Sequence, residues 1–449
     1  MLLKILKATF FLLPISSYAF DLNDAYTSAL EYNADYLAQI SRTAAGIESQ
    51  AQAKAALLPQ VGASATYAEN YLSTGGSSAY YSQPIAGFQL SQVAFDFSKF
   101  SQYTKSKYFT QVSNLQLENA KQKLIVDVSQ AYFDVLYAID TLNTIRLSKD
   151  AFLKQANQAK KSFEAGTVTI TDVNDTQSSY DAAVAQEIQS ENDLINKKNI
   201  LRNLTGLDPE QIQSVKENIN LVNPKPDKIE DWASLAKVGN VNVQVAHKQV
   251  DMAKEDISIA RSGHIPVLNV IGSFNYQGAA AINGGSGGSG LENSFGNLPG
   301  TPIADFSQGI LGLQLAVPVY SGGAINSRIR QAHSTYRQVE QQLVSVQRQT
   351  DQGVKNAFWQ VHNGVSIVKA QKQALKSAKS KLDSDTLGYQ VGIRNSIDLV
   401  NSQKNYAQAI QNYNLARYQY LQYRLQLRYL SGQIDQNYLK DINTNIKQN

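Results

Sequence analysis

The polar residues of this chain that fall into a pattern sit in two short segments, and the pattern is structural chemistry rather than bond-breaking chemistry. One segment carries Gly166, Asp172 and Asp175, the other Gly392, Arg394 and Asp398. A glycine that closes a helical run and is followed by Thr or Asn and then Asp is a stop-and-restart signal. The glycine supplies a left-handed backbone, and the carboxylate caps the next helix by accepting its free N–H groups. Catalytic alternatives are weaker. Gly284-Gly-Ser286-Gly-Gly288 has the G-x-S-x-G spacing, but in a low-complexity loop and not at a strand-to-helix elbow. His247, His264, His333 and His362 have no ligand spacing, and the absence of cysteine removes thiolate metal sites, disulfides and thiol nucleophiles. There is no G-x-x-x-x-G-K-[ST] loop to cradle phosphates. The expectation is no catalytic, metal or cofactor site, and an energy source supplied by another protein.

Both segments belong to an internal duplication. Phe163–Gly206 aligns with Tyr389–Gly432 without a gap, pairing Gly166 with Gly392, Asp172 with Asp398, Gln177 with Gln403 and Arg202 with Arg428. A second register pairs Asp24 with Asp231, Asn33 with Asn240 and Pro59 with Pro266, and a third pairs Leu90 and Phe95 with Leu315 and Tyr320. The second copy gains residues where its Gly/Ser-rich run 284–290 lies, as insertions do in exposed loops. The chain therefore reads as repeat 1 over 20–220, repeat 2 over 221–432 and a C-terminal tail over 433–449, each repeat a helix–strand–loop–strand–helix unit. Copies this long are not solenoid repeats. They suggest two pseudo-equivalent halves about a common axis.

Residues 1–19 read as a secretory signal peptide: Lys4 and Lys7, an apolar run from Ile5 to Ile15, and a small-x-small site at Ser17-Tyr18-Ala19. Export points to a periplasm, an outer membrane or the exterior. The formal net charge of +4, from 41 basic and 37 acidic residues, gives no reason to expect nucleic acid. The 24 tyrosines suit surfaces with one apolar and one wet side. No later stretch has 18 consecutive apolar residues, so any membrane insertion must use strands closed into a barrel.

The elements that position the two segments are long helices. Residues 22–57 read as helix, stopped by Pro59. Residues 100–163 contain no Pro or Gly, and Leu124, Ala131, Ala138, Ile145 and Phe152 recur every seventh position with Val128, Val135 and Leu142 between them, a coiled-coil seam. A helix of that length spans roughly 96 Å, more than one globular core can wrap. The matching segment 323–388 repeats the seam with Val354, Val361, Val368, Leu375 and Leu382. Each long helix reverses, near 166 and near 392, into a second helix at 170–205 and 396–431. Four segments alternate as strands do, about 61–70, 85–96, 267–276 and 308–320. Val61, Ala63, Ala65 and Tyr67, then Phe88 and Leu90, Val270, Phe274 and Tyr276, and Leu311, Leu313 and Leu315 lie on one face, with Ser64, Thr66, Gln89, Ser91, Asn269, Ser273 and Gln314 opposite. That is the pattern of outer-membrane barrel strands, with loops expected at 69–84 and 275–306. A small periplasmic β-sandwich is the competing reading, but four strands flanked by helices this long have no helical layer to pack on. Four strands cannot close a barrel with a channel, so several copies must combine.

The order of these elements resembles the TolC-type outer-membrane efflux protein family over essentially the whole mature chain. The most specific segments are Leu90–Lys99 (LSQVAFDFSK), Ala165-Gly166 through Asp172-Val173, and Gly388–Arg394 (GYQVGIR) through Asp398. The resemblance implies an α+β membrane protein: a homotrimer whose chains give four strands each to one 12-stranded barrel in outer-membrane lipid, continuous with a long periplasmic tunnel of coiled coils. It implies the outer membrane of a Gram-negative bacterium as location, a periplasmic adaptor docking at the hairpin tips around Gly166 and Gly392, and an inner-membrane RND- or ABC-type pump as partners. The missing cysteine places the chain nearer the non-lipidated branch.

The resemblance also assigns roles. Thr171, Asp172, Tyr389 and Arg394 match positions whose polar links hold the periplasmic entrance shut, and Asp172 can accept from both the Tyr389 hydroxyl and the Arg394 guanidinium. Asp398 matches one of two acidic rings at the entrance. The second would need an acid at 401, where this chain has Asn401; Asp175 is its equivalent in the first repeat and compensates if it faces the lumen. The function so implied is a passive exit duct for drugs, toxic small molecules or secreted proteins. A non-conducting periplasm-spanning scaffold is the alternative.

Overall fold

The computed structural model describes residues 19–74, 77–216, 219–278, 281–284 and 305–446. The expected signal segment, apart from Ala19, and the Gly/Ser-rich run, apart from Gly284, lie outside these residues. In chain order the helices are α1 (Leu22–Tyr32), α2 (Ala34–Ala55), α3 (Phe97–Glu164), α4 (Ile170–Thr205), α5 (Ile229–Gly239), α6 (Val241–Ser262), α7 (Ala324–Gln390), α8 (Ser396–Leu430) and α9 (Gln436–Ile446). The strands are β1 (Gln60–Thr74), β2 (Ser77–Phe95), β3 (Val267–Gln277), β4 (Ala281–Gly284) and β5 (Phe306–Ala316). The chain divides into two compact units, Met1–Ser41 with Gln116–Gln244 and Val346–Asn449, and Arg42–Leu115 with Val245–Ser345. None of the described helices is long and apolar enough to cross a membrane.

The second of these units holds one antiparallel sheet in the order β1-β2-β3-β5, with β4 paired to β2. Its register sets the faces. Val61 pairs with Leu90, Leu90 with Gly272 and Gly272 with Leu311; Ala63, Phe88, Phe274 and Gly309 form the next row on the same side. The rows between carry Ser64, Gly87, Asn275 and Gln308, and Gly62, Gln89, Ser273 and Ile310. Because side chains alternate faces along a strand, one side is predominantly apolar and the other mixed to polar. The apolar side is open: Leu311, Leu313 and Leu315 are 80, 71 and 63 % exposed. In the same unit α2 and α3 approach closely at Gly46, where an added Cβ would lie 2.2 Å from Ser113 Oγ, and Thr43 donates to the Ser113 carbonyl at 3.1 Å.

Three expectations need correction here. Residues 69–84 are not mainly loop: β1 and β2 stay paired to Thr74 and Ser77, because Ser, Thr and Tyr suit a pleated ribbon without apolar alternation. The fourth strand ends at Ala316 rather than 320, before Pro318, which lacks the N–H a ladder needs. Gly322 and Gly323, both at positive φ, then turn the chain into α7. Residues 22–57 form two helices, because Asn33 ends α1 and its side chain accepts from the Tyr36 N–H at 2.9 Å. Asn240 stands in the same way between α5 and α6, accepting from Asn242 and Val243.

The first unit is helical, with one large core and a small separate cluster of Phe152, Ala183 and Val400. The seam residues of α3, from Leu124 to Phe152, are all buried, as are Val354, Val361 and Val368 of α7. Burying each Val, Leu, Ile or Phe among them contributes on the order of 1.5–3 kcal/mol, and each Ala less. Tyr26, Tyr132, Trp232 and Tyr420 are the largest buried groups. Three of them pin the chain that joins the repeats: Tyr132 donates to the Gln213 carbonyl, Tyr420 to Val222, and the Trp232 indole to Pro226, each at 2.7–2.8 Å. Helix α9 sinks Leu439 and Ile442 into the large core at 0 % exposure.

Candidate functional site

Two hairpin tips in the helical unit, α3–α4 and α7–α8, bring together most of the residues singled out from sequence. Both turns are built alike. At the first, Gly166 has φ +75, its N–H donates to the Phe163 carbonyl at 2.8 Å, and Thr167 donates back to Ser162 at 2.9 Å. At the second, Gly392 has φ +81, donates to Tyr389 at 3.2 Å, and Ile393 donates to Gly388 at 2.8 Å. This bond pair, six-to-one around five-to-two, satisfies the last carbonyls of a helix and requires a left-handed residue, which glycine adopts without a Cβ penalty.

The next helix then restarts at a cap. Thr169 accepts from the Asp172 N–H at 3.2 Å while Asp172 accepts from the Thr169 N–H at 3.0 Å, a reciprocal capping box. In the second tip Asn395 accepts from the Asp398 N–H at 2.8 Å. The caps are therefore Thr169 and Asn395, themselves equivalent in the duplication, and the aspartates stand three positions inside.

Within one chain the expected acceptance by Asp172 of Tyr389 and Arg394 is replaced by other pairings. Asp172 Oδ2 takes the Thr169 hydroxyl at 2.7 Å, and Oδ1 takes the Ser396 hydroxyl at 2.8 Å, so the carboxylate links α4 to α8. These hydrogen bonds hold its pKa below the ordinary carboxylate value. Tyr389 stays close to it: burial first, and the Asp172 charge second, push the phenol up. Arg394 turns to its own hairpin, with Nε 3.6 Å from Asp385 Oδ1 and an Nη 3.6 Å from Asp398 Oδ2. Thr171 and Asp175 are exposed on the first turns of α4, and Asn401 is exposed on α8.

The sequence reading missed Lys381, Asp385 and Ser402. Asp385 is 6 % exposed and receives the Lys381 ammonium at 2.6 Å on Oδ2, which also accepts a very short bond from Ser402 Oγ. Lys381 donates to Ser402 at 2.7 Å as well. The ammonium and the hydroxyl hold the Asp385 pKa down. The available signal was the Lys381–Asp385 spacing of one helical turn, which also describes ordinary surface pairs. Among the described residues no group of acids and histidines is placed to hold a metal ion.

Comparison with known proteins agrees with this architecture. The outer membrane efflux protein family matches residues 25–207 and 232–433, one stretch in each repeat. The outer membrane protein TolC of Escherichia coli is 30 % identical over 434 residues, covering 95 % of this chain and 85 % of that protein. The alkaline protease secretion protein AprF of Pseudomonas aeruginosa is 25 % identical over 435 residues, covering 95 % and 87 %. The crystal structure of the Campylobacter jejuni CmeC outer membrane channel shares the fold with a TM-score of 0.76 at 16 % identity, covering 95 % of this chain and 90 % of that one. The chain thus belongs to the outer membrane efflux protein family, and it is an outer-membrane exit duct.

Proposed function

We propose that three copies of this chain close a 12-stranded barrel through the outer membrane, continuous with a periplasmic tunnel of their long helices. In this reading the duct conducts passively, and residues 20–220 and 221–432 supply equivalent halves of each third of the wall. The observation that carries it is the sheet. Strands β1 and β5 leave open edges of 15 and 11 residues, and the sheet's apolar side has no cover among the described residues. Open edges and an apolar face are unstable in water, and edge-to-edge closure in lipid removes both. A scaffold that does not conduct has no use for a mixed-to-polar face on the other side.

The same reading gives the tips two tasks. Thr171, Asp172, Tyr389 and Arg394 hold the entrance closed through links between hairpins of neighbouring chains, and Asp398, with Asp175, sets its charge. The grooves beside Gly166 and Gly392 receive a periplasmic adaptor, which couples the duct to an inner-membrane RND- or ABC-type pump. Similarity to AprF supports secreted protein as cargo, and similarity to TolC and CmeC supports export more broadly. Single-channel recording of the purified trimer in planar bilayers tests the proposal. Small steady currents that grow in Tyr389→Phe/Arg394→Ser are expected; a trimer that inserts and never conducts returns the scaffold reading.

A further inference from the structure

We infer that Asp385 is a positioning residue for the gate arginine: it holds Arg394 on its own hairpin, away from the cross-chain closing link, and so favours the open entrance. The inference rests on the gate reading above and adds to it a residue outside the four aligned gate positions.

The geometry is specific. Asp385 is buried on α7, one turn before Tyr389, and its two oxygens are used differently. Oδ2 is filled by Lys381 and Ser402. Oδ1 faces the Arg394 Nε at 3.6 Å. Opposite charges at this distance attract, with a strength that the half-exposed guanidinium keeps modest. Arg394 is half-exposed and reaches Asp398 at the same 3.6 Å. The guanidinium therefore sits between two carboxylates of its own chain, without tight contact to either, and can be drawn away by a third acceptor. A gate needs such a group: one cation with two sets of partners of similar strength, so that a small differential contact moves the balance.

The duplication shows that this arrangement is not a requirement of the hairpin. In the gapless alignment, Arg394 and Ser402 correspond to Val168 and Thr176, and carried back at the same offset along the two continuous helices, Lys381 and Asp385 correspond to Gln155 and Ala159. Ala159 is fully buried at the place of Asp385. The α3–α4 hairpin thus folds on the same turn chemistry with an apolar filler there, and at this position near the tip only the hairpin that carries the gate arginine has a carboxylate.

Planar-bilayer conductance of the full-length trimer tests this, with trimer assembly checked by size exclusion for each variant. Arg394→Ser is expected to raise conductance. Asp385→Asn is expected to lower it by about two- to five-fold, the weight of one partly exposed ion pair, and Asp385→Glu to restore it in part. Lys381→Gln, a substitution at the surface, removes the cation that competes for Asp385 and is expected to raise conductance. Asp385→Asn/Arg394→Ser should behave as Arg394→Ser alone. A residue that only packs the hairpin would loosen the tip, so raised conductance in Asp385→Asn, or no effect of Lys381→Gln, overturns the role of Asp385 while leaving the gate intact. Unchanged conductance in Arg394→Ser removes the gate reading itself and this inference with it.

Discussion

Ser396 donates its hydroxyl proton to Oδ1 of Asp172 across 2.8 Å, joining the first turn of α8 to the first turn of α4. The link runs one way only, because the first-repeat equivalent of Ser396 is Ile170, which has no hydroxyl and is exposed. The same carboxylate closes the capping box with Thr169 through its other oxygen. One side chain thus serves the start of one helix and the contact between two hairpins.

Removing the hydroxyl should separate these tasks. Ser396→Ala leaves the Thr169–Asp172 box in place, so the melting temperature should move by less than about 1 kcal/mol worth of stability, given how exposed the carboxylate is. Hydrogen exchange of the first-turn amides of α8 should quicken by a few-fold while those of α4 hold. Asp172→Asn should quicken both. Equal exchange in wild type and Ser396→Ala would mean the hairpins are held by packing alone.

The pH response of the tip follows from the same carboxylate. Its folded pKa lies below the ordinary 3.8, held there first by the Thr169 hydroxyl and then by Ser396. A lowered folded pKa means the folded state binds the proton less readily than the unfolded chain. Its contribution is therefore complete above the unfolded value and is lost as pH falls through the folded one. Asp385 shifts in the same direction. Conductance and exchange at the tip should stay flat from pH 7.5 to 5 and change only below about 4. A midpoint near 6 would place control in another group.

Asp140 predicts the opposite slope. Burial raises its pKa, against the Tyr418 hydroxyl that it accepts at 2.8 Å and the nearby Arg417 charge. The folded state here binds the proton more readily than the unfolded chain, so the favourable contribution is present below the unfolded value and lost as pH rises through the folded one. Asp140→Asn keeps an acceptor for Tyr418 and removes the buried charge. It should raise stability to denaturant at pH 7 and leave it unchanged near pH 3.5. A loss at pH 7 would show that the charge pays for itself through Arg417.

How far the sequence carried depended on whether a feature has a period or a partner. The seam of α3 was legible because Leu124 to Phe152 recur every seventh residue, and a seam so regular must be buried in any fold that uses it. The turns at Gly166 and Gly392 were legible because a left-handed residue there has few alternatives. The strands beyond Ala68 were hidden because backbone pairing leaves no mark on a Ser- and Tyr-rich run. Helix α9 was hidden because an 11-residue segment shows its apolar face only once a core exists to receive Leu439 and Ile442. The Lys381–Asp385–Ser402 cluster needed the reversal at Gly392 to bring residues 385 and 402 together, and no spacing along one helix encodes that.

In the proposed duct, the charge that α8 brings to the entrance gives the most direct functional test. Asp398 and position 401 lie one turn apart on α8, hence on neighbouring parts of one helix face. This chain has an acid at the first and Asn401 at the second, and part of the Asp398 charge is offset by Arg394 at 3.6 Å. Block by a trivalent cation added from the tip side should accordingly be weak. Asn401→Asp restores a second carboxylate per chain, and at about 1 kcal/mol per close charge pair in water it should tighten block roughly tenfold or more in a trimer. Arg394→Ser should tighten it as well by uncovering Asp398, although it widens the passage. If Asp175 shares the constriction, Asp398→Ala will keep a residual block that Asp175→Asn then removes. If Asp398→Ala abolishes block alone, the α4 carboxylate faces away from the passage and the charge of the entrance comes from α8 only.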